Sequence, residues 1–175
     1  EEPLYPLSIG DTEILVGETK LGTLLDAGFE VTWSEMDANN QITQHTVDPS
    51  EMLEPMSYYS GGSVWITEHV FAHIAFVTEE EAVPLGEAVI ARLEVNFSYD
   101  DEDNRAAGVK FNGIPYEELT REKAGDVFPD FTGDDNMWFS PASMRNYDYG
   151  VYYSNGSLSK ITVECEYDVD WNGGN

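Results

Sequence analysis

Hydrophobic and polar residues along the chain follow patterns that predict mostly β-strands. Short strands are predicted in TEILVGE, near Val31 and over residues 43–47. The long apolar run SVWITEHVFAHIAFV is rich in Val, Ile, Thr and Phe and follows a Ser-Gly-Gly turn, so we predict a strand rather than a helix. The run VIARLEVNFSY alternates in polarity. One face of that predicted strand would carry Val89, Ala91, Leu93, Val95, Phe97 and Tyr99.

Two short helices are predicted, each beginning at a threonine N-cap. Thr19 precedes LGTLLDAGF, in which the leucines are spaced for one buried face and Gly28 is placed to end the helix. Thr120 precedes REKAGDVF, and Pro129 forbids further helix. Strands with two short helices predict an α+β fold class built mainly from antiparallel sheet.

The clearest hairpin is predicted near the end of the chain. It consists of NYDYGVYYS, the turn dipeptide Asn155-Gly156, and the alternating run SLSKITVECEYDV. The inward face of the last strand would carry Ile161, Val163, Cys165, Tyr167 and Val169, with Thr162, Glu164, Glu166 and Asp168 on the wet face.

The acidic stretch DDEDNRAAG is predicted to be a linker that divides the chain into two halves. Densely packed carboxylates repel one another and favour water, so a solvated linker is predicted over residues 101–108. We therefore expect a single domain, residues 1–175, with two halves over residues 8–100 and 108–171. Each half contains a strand, a glycine-bearing turn, a capped helix and further strands, so a repeat of related halves remains open.

Composition excludes several classes of partner. The chain has 175 residues, of which 41% are hydrophobic, enough for a packed core despite a net charge of −26. Thirty-four acidic residues against eight basic ones repel phosphate backbones and anionic lipid headgroups, so nucleic acid and membrane surfaces are excluded as partners. Cations and basic partners are the ligands that the charge favours.

The chain contains no run of apolar residues long enough for a spanning helix, and no signal peptide. It begins at Glu1 rather than Met, with a polar, proline-bearing lead typical of a processed start. A removed signal or lipid anchor therefore remains open. Membrane insertion of this domain is not expected.

Two acidic segments are candidates for calcium, which prefers hard oxygen ligands. The predicted ligands are Asp101 and Asp103 in one segment and Asp130, Asp134 and Asp135 in the other. Neither matches the spacing of an EF-hand, and solvated acidic loops are the alternative interpretation. Calcium is thus the one cofactor left open.

Residues for catalysis are sparse. His69 and His73 on one strand would lie about 13 Å apart, too far for one ion. Cys165, the only cysteine, is predicted to face inward, where a thiol is inert, and its solitude rules out an intrachain disulfide. No catalytic residue is therefore assigned. Paired carboxylates of a small acidic hydrolase remain the alternative, because so acidic a chain offers many pairs.

Aromatic residues give a better indication of function. They concentrate beside glycine and serine, a composition typical of recognition surfaces, although packing within the sheet is the favoured explanation, since tyrosine and tryptophan are also good strand residues. The predicted aromatic binding face consists of Tyr147, Tyr149, Tyr152, Tyr153 and Trp138. Exposed aromatics in an acidic field suit a basic peptide, a glycan or a protein partner.

Three segments carry a resemblance to known proteins. ILVGETKLGTLLDAGFEV, KFNGIPYEELTREKAGDVFPDF and SNGSLSKITVECEY together resemble uncharacterised secreted proteins and lipoproteins of Gram-positive bacteria. The second segment also resembles the repeat of β-lactamase-inhibitor-like proteins, although its helix breaks at Val127-Phe128-Pro129 rather than at a glycine. The resemblance implies a secreted or cell-surface location and a non-enzymatic role.

The sequence therefore predicts an extracytoplasmic binding or protein-interaction module, free or tethered through a removed N-terminal segment. A small carboxylate-dependent hydrolase and a purely structural lipoprotein domain are the alternatives.

Overall fold

Antiparallel β-sheet makes up most of the computed structural model, which describes residues 2–144 and 146–167. The strands are β1 (Leu7–Ile9), β2 (Thr12–Ile14), β3 (Val31–Met36), β4 (Ile42–Thr46), β5 (Met52–Leu53), β6 (Tyr58–Trp65), β7 (Phe71–Val77), β8 (Val83–Pro84), β9 (Val89–Asn96), β10 (Val109–Phe111), β11 (Ile114–Pro115), β12 (Thr132–Gly133), β13 (Met137–Phe139), β14 (Tyr147–Ser154) and β15 (Ser157–Cys165). The α-helices are α1 (Leu21–Asp26), α2 (Asp101–Ala106) and α3 (Arg121–Val127). The fold is thus mainly β, with three short α-helices in the described residues rather than the two predicted.

One large sheet organises the molecule. Its nine strands follow the order β12-β13-β14-β15-β9-β7-β6-β3-β4, and all its pairings are antiparallel. A second sheet has the order β11-β10-β1-β2, and β5 pairs with β8. Strands that are distant in the chain, β9 and β15, lie side by side near the middle of the large sheet.

The large sheet buries one face and leaves the other to solvent. The buried side chains alternate along its central strands and join those of the helices in one apolar core, among them Leu24, Phe76, Leu93, Ile161 and Val163. We call the opposite side the outer face. Its residues are Trp65, Phe71, His73, Arg92, Glu94, Asn96, Met137, Phe139, Asp148, Gly150, Tyr152, Lys160, Thr162 and Glu164.

Helix α1 ends as predicted but does not begin as predicted. Gly28 has φ +92° and follows the C-cap, and its N–H donates to the Leu25 carbonyl, which closes the last turn. The N-cap position is occupied by Lys20, without a side-chain cap. The Thr19 hydroxyl instead accepts the N–H of Leu15, so it stabilises the turn before the helix. Helix α3 has the predicted cap, since the Thr120 hydroxyl accepts the Lys123 N–H.

The prediction of a solvated linker over residues 101–108 is wrong. Residues Asp101–Ala106 form α2, and the Asp100 side chain caps it by accepting the N–H groups of Glu102 and Asp103. Acidic residues in a first turn are favoured by the helix dipole, which offsets their mutual repulsion. The chain is therefore ordered where the sequence indicated a division.

The apolar run after Ser63 is β-structure, as predicted, but it forms a hairpin rather than one strand. Strand β6 ends at Trp65, and β7 begins at Phe71. The turn between them has neither glycine nor proline. It is held by the Thr67 hydroxyl, which accepts the Val70 N–H. His69 therefore lies in a turn while His73 lies in β7.

The predicted face of β9 is correct in its centre and wrong at one end. Leu93 and Val95 are buried, but Tyr99 lies beyond the strand and is fully exposed. The β14–β15 hairpin is confirmed, with Asn155 and Gly156 in its turn at φ +52° and +81°. Asp168 and Val169, placed by prediction in the last strand, lie outside the described residues.

The two halves of the chain contribute similar elements. Each supplies a short hairpin to the small sheet, β1–β2 or β10–β11, and then a short helix, α1 or α3. Each also ends with a strand at the centre of the large sheet, β9 or β15, and these pair antiparallel, as β1 and β10 do. That the halves are related repeats stays a prediction.

Candidate functional site

The outer face carries a continuous row of side chains across six strands. Neighbouring strands pair Trp65 with Phe71, Phe71 with Asn96, Asn96 with Lys160, Lys160 with Tyr152, and Tyr152 with Met137. We call these six residues the aromatic row. Five interstrand spacings of about 4.8 Å make it about 24 Å long.

One end of the aromatic row is a cluster of Trp65 and Phe71. Their ring centroids lie 5.1 Å apart, and Phe71 also contacts the His73 ring at 5.1 Å. Trp65 is 53% exposed. These rings lie on the side of the sheet opposite the core, because the preceding residue, Val64, is the one that faces inward.

The other end is a cluster around Tyr152. The Phe139 ring meets Tyr152 edge to face at 5.4 Å, and the Lys160 ammonium lies 4.4 Å from the Tyr152 ring centroid. Gly150 permits this arrangement, since a Cβ there would lie 2.8 Å from the Thr162 hydroxyl and 3.0 Å from the Tyr152 ring. The Tyr152 and Phe139 rings therefore pack close to the backbone of Gly150, where there is no side chain.

Charged residues occupy the middle of the outer face. Arg92 contacts Glu94 at 3.1 Å and Glu164 at 3.8 Å, and Lys160 contacts Glu94 at 3.8 Å. Two cations and two carboxylates thus balance in charge, in a molecule whose net charge is −26. A shallow hollow of 340 Å³ lies over this network.

The predicted aromatic binding face does not exist as a unit. Tyr149 and Tyr153 are 3% and 4% exposed, so the prediction that they line an exposed face is wrong. Both share the inward side of β14 with Val151, and each hydroxyl finds a partner there: that of Tyr149 accepts the Tyr5 N–H, and that of Tyr153 donates to the Leu119 carbonyl. Buried phenols require such partners.

Tyr147 and Trp138 are half-buried against the core rather than on the outer face. The Trp138 indole N–H donates to the Phe128 carbonyl, and the Arg121 guanidinium lies 3.8 Å from the centre of its ring. Both the polar group and one ring face of Trp138 are therefore occupied. Of the five predicted residues, Tyr152 is the one on the outer face.

The sequence reasoning missed Trp65 and Phe71 because the two strands were interpreted as one. The alternation of β14 does indicate which of its tyrosines face outward. Tyr147, Tyr149 and Tyr153 alternate in step with the apolar Val151, whereas Tyr152 alternates in step with the polar residues at 148 and 154.

Three of the five predicted calcium ligands engage protein partners. Asp101 accepts the Tyr116 hydroxyl, and Asp103 accepts both the Thr67 hydroxyl and the His69 N–H, so α2 is joined to the β6–β7 turn. In the second segment the Asp134 carboxylate accepts the N–H groups of the next turn. Asp130 and Asp135 are exposed.

In the part of the chain that the structure describes, no group of three or more His, Cys, Asp or Glu side chains is placed to hold a metal ion. The five aspartates are thus not gathered into a site. His45 and His73 lie in different strands and His69 in a turn.

Cys165 faces inward, as predicted. Its thiol donates to the Ala91 carbonyl at 3.4 Å, and burial, reinforced by the Glu164 carboxylate, raises the pKa of the thiol to about 12. Because the thiolate is the reactive form, this environment makes Cys165 a poor nucleophile.

A cleft of 720 Å³ lies at one end of the large sheet. Five glutamates line it: Glu79, Glu80, Glu81, Glu87 and Glu166. All five are exposed, and Lys20 forms an ion pair with Glu87. A catalytic acid and base pair requires two carboxyl groups in different environments, whereas these five are all exposed to water. They therefore do not identify such a pair.

Comparison with models of protein families, with curated proteins and with solved structures finds no match to this chain. None of the helices in the described residues is both long and apolar enough to cross a membrane. The functional assignment therefore depends on the chemistry of the surfaces.

Proposed function

We propose that the chain is a non-enzymatic, extracytoplasmic binding module that engages a protein partner through the outer face of its large sheet. The observation that carries the proposal is the aromatic row, with Trp65 and Phe71 at one end and Tyr152 beside Met137 at the other. The extracytoplasmic location is supported by the resemblance of the chain's segments to secreted proteins and lipoproteins.

The residue types of the row favour a protein interface. Tryptophan, tyrosine and arginine dominate binding energy at such interfaces, because each offers a large rigid area together with a polar group. Trp65 and Met137 are 53% and 38% exposed, and neither belongs to the core. A partner that covers these side chains would gain about 25 cal/mol of binding free energy for each Å² of apolar surface removed from water.

Size and shape favour a protein over a small molecule. A row about 24 Å long matches the width of a patch that buries about 800 Å² per partner. Small ligands prefer concave pockets that enclose most of their surface, whereas the aromatic row extends across six strands of one sheet face. A glycan could stack on the same rings, and the capture experiment distinguishes a bound glycan from a bound protein.

The charges in the outer face allow a partner to approach. Arg92 and Lys160 balance Glu94 and Glu164, so the centre of this face does not add to the acidic excess. Ion pairs that are partly exposed contribute at most about 1 kcal/mol each, so they can exchange for ion pairs with a partner at little cost.

Affinity capture with matched variants tests this proposal. The protein would be immobilised and exposed to envelope and extracellular proteins of the organism that encodes it. The double variant Trp65→Ala/Tyr152→Ala removes both ends of the row, while Tyr99→Ala removes an exposed aromatic outside it.

We expect wild type and Tyr99→Ala to retain the same protein, and the double variant to retain at least about tenfold less, since hot-spot truncations cost 1.4 kcal/mol or more. Unchanged melting temperatures would show that the fold is intact. Equal retention by all three, retention of a carbohydrate alone, or no retained protein would contradict the proposal.

A further inference from the structure

The large sheet ends at β4, which pairs with β3 on one side and with no other strand among residues 2–144 and 146–167 on its far side. All five of its residues, Ile42–Thr46, are exposed. Strand β4 pairs with β3 in continuous register, so its backbone is extended and regular along its whole length. It therefore presents an open β-edge.

The hydrogen bonds of β3 and β4 identify the backbone groups that face away from the sheet. The N–H of Val47 donates to the Val31 carbonyl, and that of Asp37 donates to the Gln41 carbonyl. Antiparallel pairs alternate between bonded and non-bonded, so odd-numbered residues of β4 bond to β3. The N–H and C=O groups of Ile42, Gln44 and Thr46 consequently point outward.

This edge lacks the features that usually block strand addition. Its sequence, ITQHT, contains no charged residue and no proline, and its ladder contains no bulge. The opposite edge of the same sheet differs, because β12 has two residues and the Arg121 side chain covers the adjacent Asp134 carbonyl. One edge is thus protected and the other is open.

We propose that β4 binds an extended, basic segment of a partner protein, which adds as a tenth strand. A row of alternating N–H and C=O groups is complementary to an extended backbone and to little else. The exposed side chains of Ile42 and its cross-strand neighbour Met36, 68% and 64% exposed, offer an apolar contact to one residue of that segment.

Charge decides between a basic partner and a second copy of this chain. Exposed carboxylates surround the neutral strand: Glu35 lies on β3 opposite Thr43, and Asp37 and Asp48 lie in the chain before and after β4. Lysine or arginine at the ends of an added strand would lie near them. A second copy would instead bring another net charge of −26 to the same edge.

The test uses a synthetic nine-residue peptide of alternating threonine and valine with two lysines at each end. Titrated into the ¹⁵N-labelled protein to about 1 mM, it should shift the amide resonances of Ile42, Gln44 and Thr46 most. Replacing its lysines by glutamates should abolish the shifts, and raising salt from about 0.1 M to about 1 M should weaken them.

A pair of variants isolates the backbone contribution. Gln44→Pro removes an outward N–H without removing a backbone hydrogen bond to β3 and should weaken binding about tenfold or more. Gln44→Ala keeps that N–H and should bind like wild type, and both variants lose the side-chain hydrogen bond from Gln44 to the Ser34 hydroxyl. As a check that leaves the protein unchanged, N-methylation of alternate peptide amides should also prevent binding.

Shifts absent from β4, or equal binding of the glutamate peptide, would overturn the proposal. So would a wild-type dimer in sedimentation that Gln44→Pro dissociates, because the occupant would then be a second copy. Trp65→Ala/Tyr152→Ala should leave peptide binding unchanged. The test of β4 is therefore independent of the test of the outer face.

Discussion

At the scale of single residues, the position of a tyrosine or cysteine along its strand decides whether its side chain faces the core or the solvent, because alternate residues of a strand point to opposite sides of the sheet. Tyr149, Tyr153 and Cys165 face inward and form hydrogen bonds to the backbone, whereas Tyr152 faces outward under Lys160. Residues of one type thus have opposite roles within a single hairpin.

The buried thiol gives a pH-dependent prediction. Its pKa is about 12 in the folded protein and about 8.5 in an unfolded chain. Between these values the unfolded state has lost the proton that the folded state retains. Stability from this group is therefore complete below about pH 8.5 and falls by up to about 1.4 kcal/mol per unit as the pH rises.

Urea unfolding of wild type and Cys165→Ala between about pH 8 and 11 would measure this. We expect wild type to lose more stability with rising pH than the variant, and the native thiol to react with a disulfide reagent about a thousandfold more slowly than the unfolded thiol at pH 8. Parallel pH profiles together with rapid native labelling would show that Cys165 is accessible and unshifted.

At the scale of elements, α2 connects the two halves of the chain. Asn104 is fully buried, its amide donates to the Ser98 carbonyl and to the Tyr116 hydroxyl, and its side-chain oxygen accepts the Ser98 N–H. Asp103 joins the same helix to the β6–β7 turn. A segment that the sequence predicted as linker is thus fixed from both sides.

Asn104→Ala is therefore expected to destabilise the protein by about 2 to 4 kcal/mol, since it leaves the half-buried N–H and carbonyl of Ser98 without their partners and empties a fully buried position. Asp100→Ala, which removes only an exposed cap, should cost about 1 kcal/mol. Chemical denaturation of both variants measures the difference. A change below about 0.5 kcal/mol for Asn104→Ala would mean that α2 contributes no more than a linker would.

Sequence patterns predicted elements well where a local signal was sufficient. The turn dipeptide Asn155-Gly156 located the β14–β15 hairpin, and Gly28 located the end of α1. They failed where distant contacts decide. The β6–β7 turn has no glycine and depends on Thr67 and Asp103, and α2 depends on a cap and a buried asparagine within a run that its charge marks as solvated.

The candidate site was less predictable than the fold. Tyr152 was selected from composition, but the aromatic row joins residues from β6, β7, β9, β13, β14 and β15, and only the order of the strands brings them together. That order places β9 against β15, a pairing between opposite halves that no local pattern encodes.

At the scale of the whole molecule, acidity and surface structure have separate consequences. The net charge of −26 disfavours anionic partners at long range, while Arg92 and Lys160 offset Glu94 and Glu164 on the outer face, which presents aromatic rings at short range. The open edge at β4 provides a second, neutral contact region. These two surfaces are the ones through which we propose that the protein binds its partners.

The most direct test of the outer face is site-specific photo-cross-linking in the organism that encodes the protein. A photoreactive phenylalanine analogue would replace Trp65, Tyr152 or, as a control, the fully exposed Tyr99. We expect a protein adduct of the same discrete mass from positions 65 and 152 and none from position 99. No discrete adduct at 65 and 152, or the same adduct from all three positions, would contradict this expectation.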